Sequence, residues 1–215
     1  MFDSQTAIPS NYYAPSVYVQ GDLESGLLSS RRGDRLLALP QPLIEAIYSG
    51  LEYETGQAMK LVLRHCGRMW GKEFFRRFAN ELTDYHHKSL TELEMGVFLQ
   101  NLQQAWKTHG WGTFAIDWSY QDQGLLVVHI QNSPFTALFP ADVPRPMGYL
   151  EAGMLATWFS QLTGRELNCV QTTSMVLGAP VDTFVITAAE RLKDAETWVD
   201  NGQTHDQVVQ QLLAG

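Results

Sequence analysis

The strongest periodic signal in the chain runs from Met59 to Phe78. Met59, Val62, Leu63, Cys66, Trp70, Phe74 and Phe78 fall at three- and four-residue steps, which predicts a long amphipathic helix burying that stripe. Gly67 and Gly71 interrupt it. Each weakens a helix by about 1 kcal/mol relative to alanine, so they suggest a close helix approach or a kink near residue 71. Upstream, Pro40 and Pro42 stand where a helix would begin. Downstream, Ser89-Leu90-Thr91-Glu92 has the form of a capping box opening another helix. Leu90, Leu93, Val97, Leu102 and Trp106 would share one face of that helix, which ends near His109-Gly110.

The period then falls to two. Phe114, Ile116 and Trp118 alternate with polar or small residues, and the turn Asp122-Gln123-Gly124 leads into Leu125–Ile130, predicting a hairpin. A loop carrying Pro134, Pro140, Pro144 and Pro146 follows. Beyond it the pattern reads as a helix from Tyr149 closed by Gly164, a strand, a glycine turn at Gly178, a strand from Thr183 to Ala188, a charged helical segment and a short helix around Val208–Leu213. Helices are grouped and strands pair locally, so the expected class is α+β, with helices packed on a small antiparallel sheet.

Residues 1–39 show no sustained period. Pro9, Pro15, Tyr12, Tyr13, Tyr18 and the pair Leu27/Leu28 read as a largely irregular arm that packs on its own domain or on a partner. The expected division is an arm over 1–39, a domain over 40–192 and a helical tail over 193–215.

Composition narrows the function. A hydrophobic content of 45% with 11% aromatics is enough for a packed core. A net charge of −8 argues against nucleic-acid binding, which needs a basic surface. Only Cys66 and Cys169 are present, no secretory leader opens the sequence, and no window has the roughly 18 uninterrupted apolar residues of a spanning helix. A cytoplasmic protein with two free thiols is expected, with peripheral membrane association left open.

The segment Tyr149–Phe184, with LTGREL at 162–167, Gly178, and the earlier Gly56, Gly67, Gly71 and Gly110-Trp111-Gly112, resembles the 4-vinyl reductase domain family over roughly residues 44–190. The stretches ETGQA, CGRMWGKEF and HGWG at 54–58, 66–74 and 109–112 are similar to those of cyanobacterial members. The resemblance implies a helix-and-sheet module with an apolar pocket, similar in fold to vesicle-tethering complex subunits and often homodimeric. It further implies a tie to tetrapyrroles, such as a chlorophyll precursor or bilin, and to pigment handling or photosystem assembly, with a photosystem or pigment-synthesis protein as partner. Where the family pattern carries an acid, a cysteine, a glycine, a second cysteine and an aromatic, this chain has Gln171, Ser174, Gly178, Asp182 and Phe184. With the soft donors gone, a thiolate metal site is not expected there.

Two residue sets carry the ligand reading. Trp70, Phe74, Trp106, Trp111, Phe114, Trp158 and Phe159 come from several elements that should converge. Such rings either line a cleft for a flat apolar ligand or fill the core. His109 joins them as a candidate contact. Lys60, Arg64, Arg68, Lys72 and Arg76 recur every four residues on the face away from the apolar stripe. They form either a ridge for anionic groups, with Lys60, Arg64, Arg68 and Lys72 as its contacts, or a solvated face.

Catalysis has no motif. There is no GxGxxG after a strand and no GxSxG. His86-His87 are adjacent, so on a helix they point about 100° apart and cannot readily share one ion. His65-Cys66 lacks a visible catalytic partner. The reading is therefore a non-catalytic binder of a hydrophobic small molecule. The alternative is a ligand-free scaffold acting through a dimer face and the arm.

Overall fold

The computed structural model describes residues 11–137 and 145–214. Pro9, Pro140 and Pro144 lie outside the described residues. In chain order the elements are α1 (Pro15–Tyr18), β1 (Val19–Asp22), β2 (Leu27–Ser30), β3 (Arg35–Leu36), α2 (Gln41–Thr55), α3 (Met59–His86), α4 (Met95–Thr108), β4 (Thr113–Asp117), β5 (Leu126–Gln131), α5 (Tyr149–Thr163), β6 (Leu167–Thr173), β7 (Asp182–Ala188), α6 (Ala195–Asp200) and α7 (His205–Ala214). The α+β class read from the sequence is the class observed. Two compact units divide the chain: residues 1–39 with 78–110, and residues 40–77 with 111–215.

In the first unit, the stretch expected to be irregular forms a three-stranded antiparallel sheet, β1-β2-β3. Its strands are only two to four residues long, too short to show a period. The Asp22 carboxylate turns the first hairpin by accepting the Glu24 and Ser25 N–H groups at 3.0 and 3.3 Å. Tyr12, Tyr13 and Tyr18 are buried. The Tyr13 ring stacks on Phe78 at 5.5 Å, and its hydroxyl donates to Glu81 at 2.6 Å. The Tyr12 N–H donates to Asn101 at 2.9 Å.

The capping box at Ser89 forms as expected but serves a single 3-10 turn over Leu90–Glu92. The helix proper begins six residues after Ser89, at Met95, and its buried set is Phe98, Asn101, Leu102, Ala105 and Trp106.

In the second unit, the sheet runs β4-β5-β7-β6 with every neighbour antiparallel. Val127, Val170 and Val185 on one face pack with Leu192 and with Val199, Val208 and Leu212 of α6 and α7. The other face carries Phe184 and Gln171, which meet Gly148 at the start of α5. Helix α5 is buried through most of its first eleven residues, as a helix apolar nearly all round must be. Gly164 closes it in the left-handed region at φ 67°.

The glycines of α3 resolve into the close-approach reading. A Cβ on Gly67 would overlap the Leu150 carbonyl oxygen, one on Gly71 the Met154 carbonyl oxygen, and one on Gly153 the Arg64 carbonyl oxygen. The backbones of α3 and α5 are thus in mutual contact. This rotates the buried stripe from the one expected. Met59, Leu63, Gly67, Gly71 and Phe74 face inward, whereas Val62 and Cys66 are exposed. Among the described residues no helix is long and apolar enough to cross a membrane.

Two kinds of glycine follow from this packing. Gly67→Ala or Gly153→Ala should destabilise the protein by about 1–3 kcal/mol through overpacking, despite alanine's better helix propensity. Gly50, inside α2 with nothing within 4 Å of its missing Cβ, should gain up to about 1 kcal/mol as alanine. Urea-denaturation midpoints of the three variants check both signs.

Candidate functional site

The second unit gathers an aromatic wall beside a buried polar layer. Trp70 on α3 meets Trp111 edge-on at 4.8 Å and Phe135 at 5.2 Å. Trp111 meets Phe74 at 5.0 Å, and Trp158 lies 6.5 Å from Phe74, 5.7 Å from Phe75 and 5.0 Å from Phe159. Phe114 is buried on β4, its register partner being Ile130. Of the eight ligand contacts expected from the sequence, Trp70, Phe74, Trp111, Phe114, Trp158 and Phe159 belong to this unit. Trp106 and His109 belong to the first unit. There His109 Nδ1 is 2.7 Å from the Ala105 carbonyl, to which it donates, and its ring lies 5.2 Å from Tyr18.

The polar layer is built by the loop after β5, the start of α5 and the facing strands. Gln171 Oε1 accepts the Gly148 N–H at 2.6 Å, and its Nε2 donates to Asp182 Oδ1 and the Thr173 carbonyl, both at 3.0 Å. Asp182 Oδ1 also accepts the Met175 N–H at 3.0 Å, and its Oδ2 accepts the Thr136 hydroxyl at 2.7 Å. Ser174 is buried, and its carbonyl accepts the Leu177 and Ala179 N–H groups at 3.1 Å each. Gln171 and Asp182 thus form a hydrogen-bonded clasp that ties the start of α5 to β6 and β7. No group of three or more His, Cys, Asp or Glu among the described residues is placed to hold a metal ion.

Glu151 completes the layer. It is fully buried on the first turn of α5, and its Oε1 accepts the Ser133 hydroxyl at 2.9 Å. Its Oε2 is buried with no hydrogen-bond partner among the described residues. Burial pushes this carboxyl up to about 8; the Ser133 hydrogen bond pulls it down and the nearby Asp182 charge raises it. Sequence reasoning missed Glu151, Ser133, Phe135 and Thr136. One signal was available: Glu151 is the single charged residue in the otherwise apolar or neutral run from Tyr149 to Thr163.

The cationic row splits. Arg64 forms an ion pair with Glu196, Lys60 lies 3.9 Å from the same carboxylate, and the Arg64 guanidinium sits 5.9 Å from the Tyr149 ring centroid. Arg68 and Lys72 are exposed, and Arg76 pairs with Glu73. A cleft of about 20 Å³ beside Arg64, Tyr149, Gln171 and Glu196 has room on the scale of a single water. His65 is exposed. His86 ends α3, with its ring 4.9 Å from Tyr85, and His87 takes a left-handed φ of 54°.

No protein-family profile and no curated protein matches the chain by sequence. Solved structures do match in fold. The crystal structure of the phenol-responsive sensory domain of the transcription activator PoxR with phenol superposes at a TM-score of 0.62 and 14% identity, covering 87% of this chain and 93% of that one. A trafficking protein particle complex subunit 3 from Naegleria fowleri, covalently bound to palmitic acid, gives 0.46 at 14% identity over 69% and 96%. A vinyl-4-reductase family protein from Methanocaldococcus jannaschii gives 0.44 at 13% over 71% and 83%. At these identities the likeness is one of fold, and the first carries it across most of both chains.

Glu151 sets a pH dependence. Below pH 4.5 the group is neutral folded and unfolded, so burial carries no penalty. Between 4.5 and about 8 the unfolded carboxyl ionises while the folded one holds its proton. Stability should therefore fall with rising pH across that window, by up to about 1.4 kcal/mol per unit, and level off above it. Glu151→Gln should flatten the decline, as read from urea midpoints between pH 5 and 9.

Proposed function

We propose that this chain is a binding module for a small hydrophobic molecule, held in the second unit between the aromatic wall and the buried polar layer. The observation that carries the reading is the convergence of Trp70, Phe74, Trp111 and Phe135, from three separate segments, on a loop whose Ser133 holds a buried acid with one oxygen unpartnered among the described residues. A site of apolar rings with one or two polar groups is the usual composition of a small-ligand pocket. The phenol-responsive sensory domain supports the ligand class, because its fold matches most of this chain and its ligand is a single substituted ring.

The finer expectation is a tetrapyrrole, handled as part of photosystem assembly by a cyanobacterial-type member of the vinyl reductase family. It belongs to the same proposal and makes a larger demand. The rings touch edge-on at about 5 Å between centroids, so a macrocycle would require them to part, whereas a single ring asks for a smaller displacement. A homodimer, a pigment-synthesis partner and attachment at a photosynthetic membrane belong with that finer reading.

Titration of the purified protein with phenol and 4-ethylphenol, followed by tryptophan emission, tests the proposal. Saturable change is expected, with affinity about tenfold weaker in Trp70→Ala, a loss of about 1.4 kcal/mol. Linear, unsaturable quenching that is the same in the variant would overturn it. The absorption spectrum and native mass of protein made in a pigment-producing host separate the ligand sizes. A Soret or bilin band with matching extra mass identifies a tetrapyrrole, and the same mass reports the oligomer.

A further inference from the structure

Ser133 fixes where the proton of Glu151 must lie. A serine hydroxyl has one proton and two lone pairs. The Ser133 oxygen accepts the Phe135 N–H at 3.1 Å and the Thr136 N–H at 3.2 Å, which occupies both lone pairs. Its own proton is therefore directed at Glu151 Oε1, 2.9 Å away. Oε1 is held as an acceptor, and when the acid is neutral its proton sits on Oε2, the oxygen with no partner among the described residues. A buried donor left unmet costs about 1–3 kcal/mol, and none of the described residues meets this one. The same loop that orients Glu151 through Ser133 places the Phe135 ring against Trp70, so the residue that holds the acid and a ring of the aromatic wall are two residues apart along one segment.

We infer that Glu151 is the polar anchor of the ligand site and that its ligand is an uncharged aromatic molecule bearing a hydrogen-bond acceptor oxygen. This rests on the ligand-binding reading above and specifies the chemistry of that ligand. A hydrocarbon leaves Oε2–H unmet, and a cationic ligand requires the carboxylate form that burial disfavours. The titratable groups that interact with Glu151 are Tyr48 on α2, Cys169 on β6 and Asp182 on β7. Burial holds the Tyr48 hydroxyl and the Cys169 thiol well above their usual ranges. They therefore keep their protons while Glu151 titrates, and the loss of the donor should follow Glu151 itself.

The test compares three probes of similar size: acetophenone, ethylbenzene and benzylammonium. Binding to the intact protein is measured by calorimetry at pH 6.5 and 9. Wild type should bind acetophenone about tenfold more tightly than ethylbenzene at pH 6.5, the worth of one buried hydrogen bond. Most of that preference should disappear at pH 9, above the carboxyl's value of about 8. Glu151→Gln presents an amide donor in the same place and should keep the preference at both pH values. Glu151→Leu should lose it while binding ethylbenzene undiminished. A wild type that prefers benzylammonium, or that binds acetophenone and ethylbenzene equally, overturns the anchor but leaves the ligand-binding reading standing. Failure of wild type to bind any probe removes both.

Discussion

Two helix backbones of the second unit lie against each other with nothing between them but missing side chains. At Gly67, Gly71 and Gly153 the carbonyl of one helix occupies the space where the other would carry a Cβ. That contact sets the separation of α3 and α5 and therefore the placement of whatever flanks it. Trp70 and Phe74 project beside the glycine line from α3, and Glu151 and Trp158 from α5. The three glycines give up helix propensity, roughly 1 kcal/mol each, for this proximity. Tertiary packing recovers the loss.

The first turn of α5 is also held by a different force. Gln171, Asp182 and Thr136 tie the start of the helix to two strands through directional hydrogen bonds that are almost wholly buried. Buried bonds of this kind fix orientation more strictly than apolar contact does, since a small rotation leaves a polar atom unmet. Backbone contact thus sets distance and the clasp sets direction. Glu151, next to both, is held rigidly where one of its oxygens has no partner among the described residues.

Much of the fold was legible because it rests on local signals. Gly164 and Gly178, the Asp122–Gly124 turn and the two-residue period from Phe114 placed α5 and all four strands of the main sheet to within a few residues. The arm was not legible, because strands of two to four residues carry no period and their stability comes from tyrosines whose partners lie more than sixty residues away. The phase of α3 was misjudged because glycine has no hydrophobicity to count. Gly67 and Gly71 mark the buried face, yet Val62 and Cys66 outweigh them in any pattern. At the site, the aromatic half could be named from residue type. The polar half could not, since Ser133, Glu151 and Asp182 become a set only when the loop, the helix and the strand meet.

The chain passes from the first unit to the second, back to the first and again to the second, with one of those crossings inside the unbroken helix α3, between Arg77 and Phe78. Neither unit is therefore a continuous stretch of sequence. No single cut in the gene can release either of them whole, and any such cut severs at least one of them.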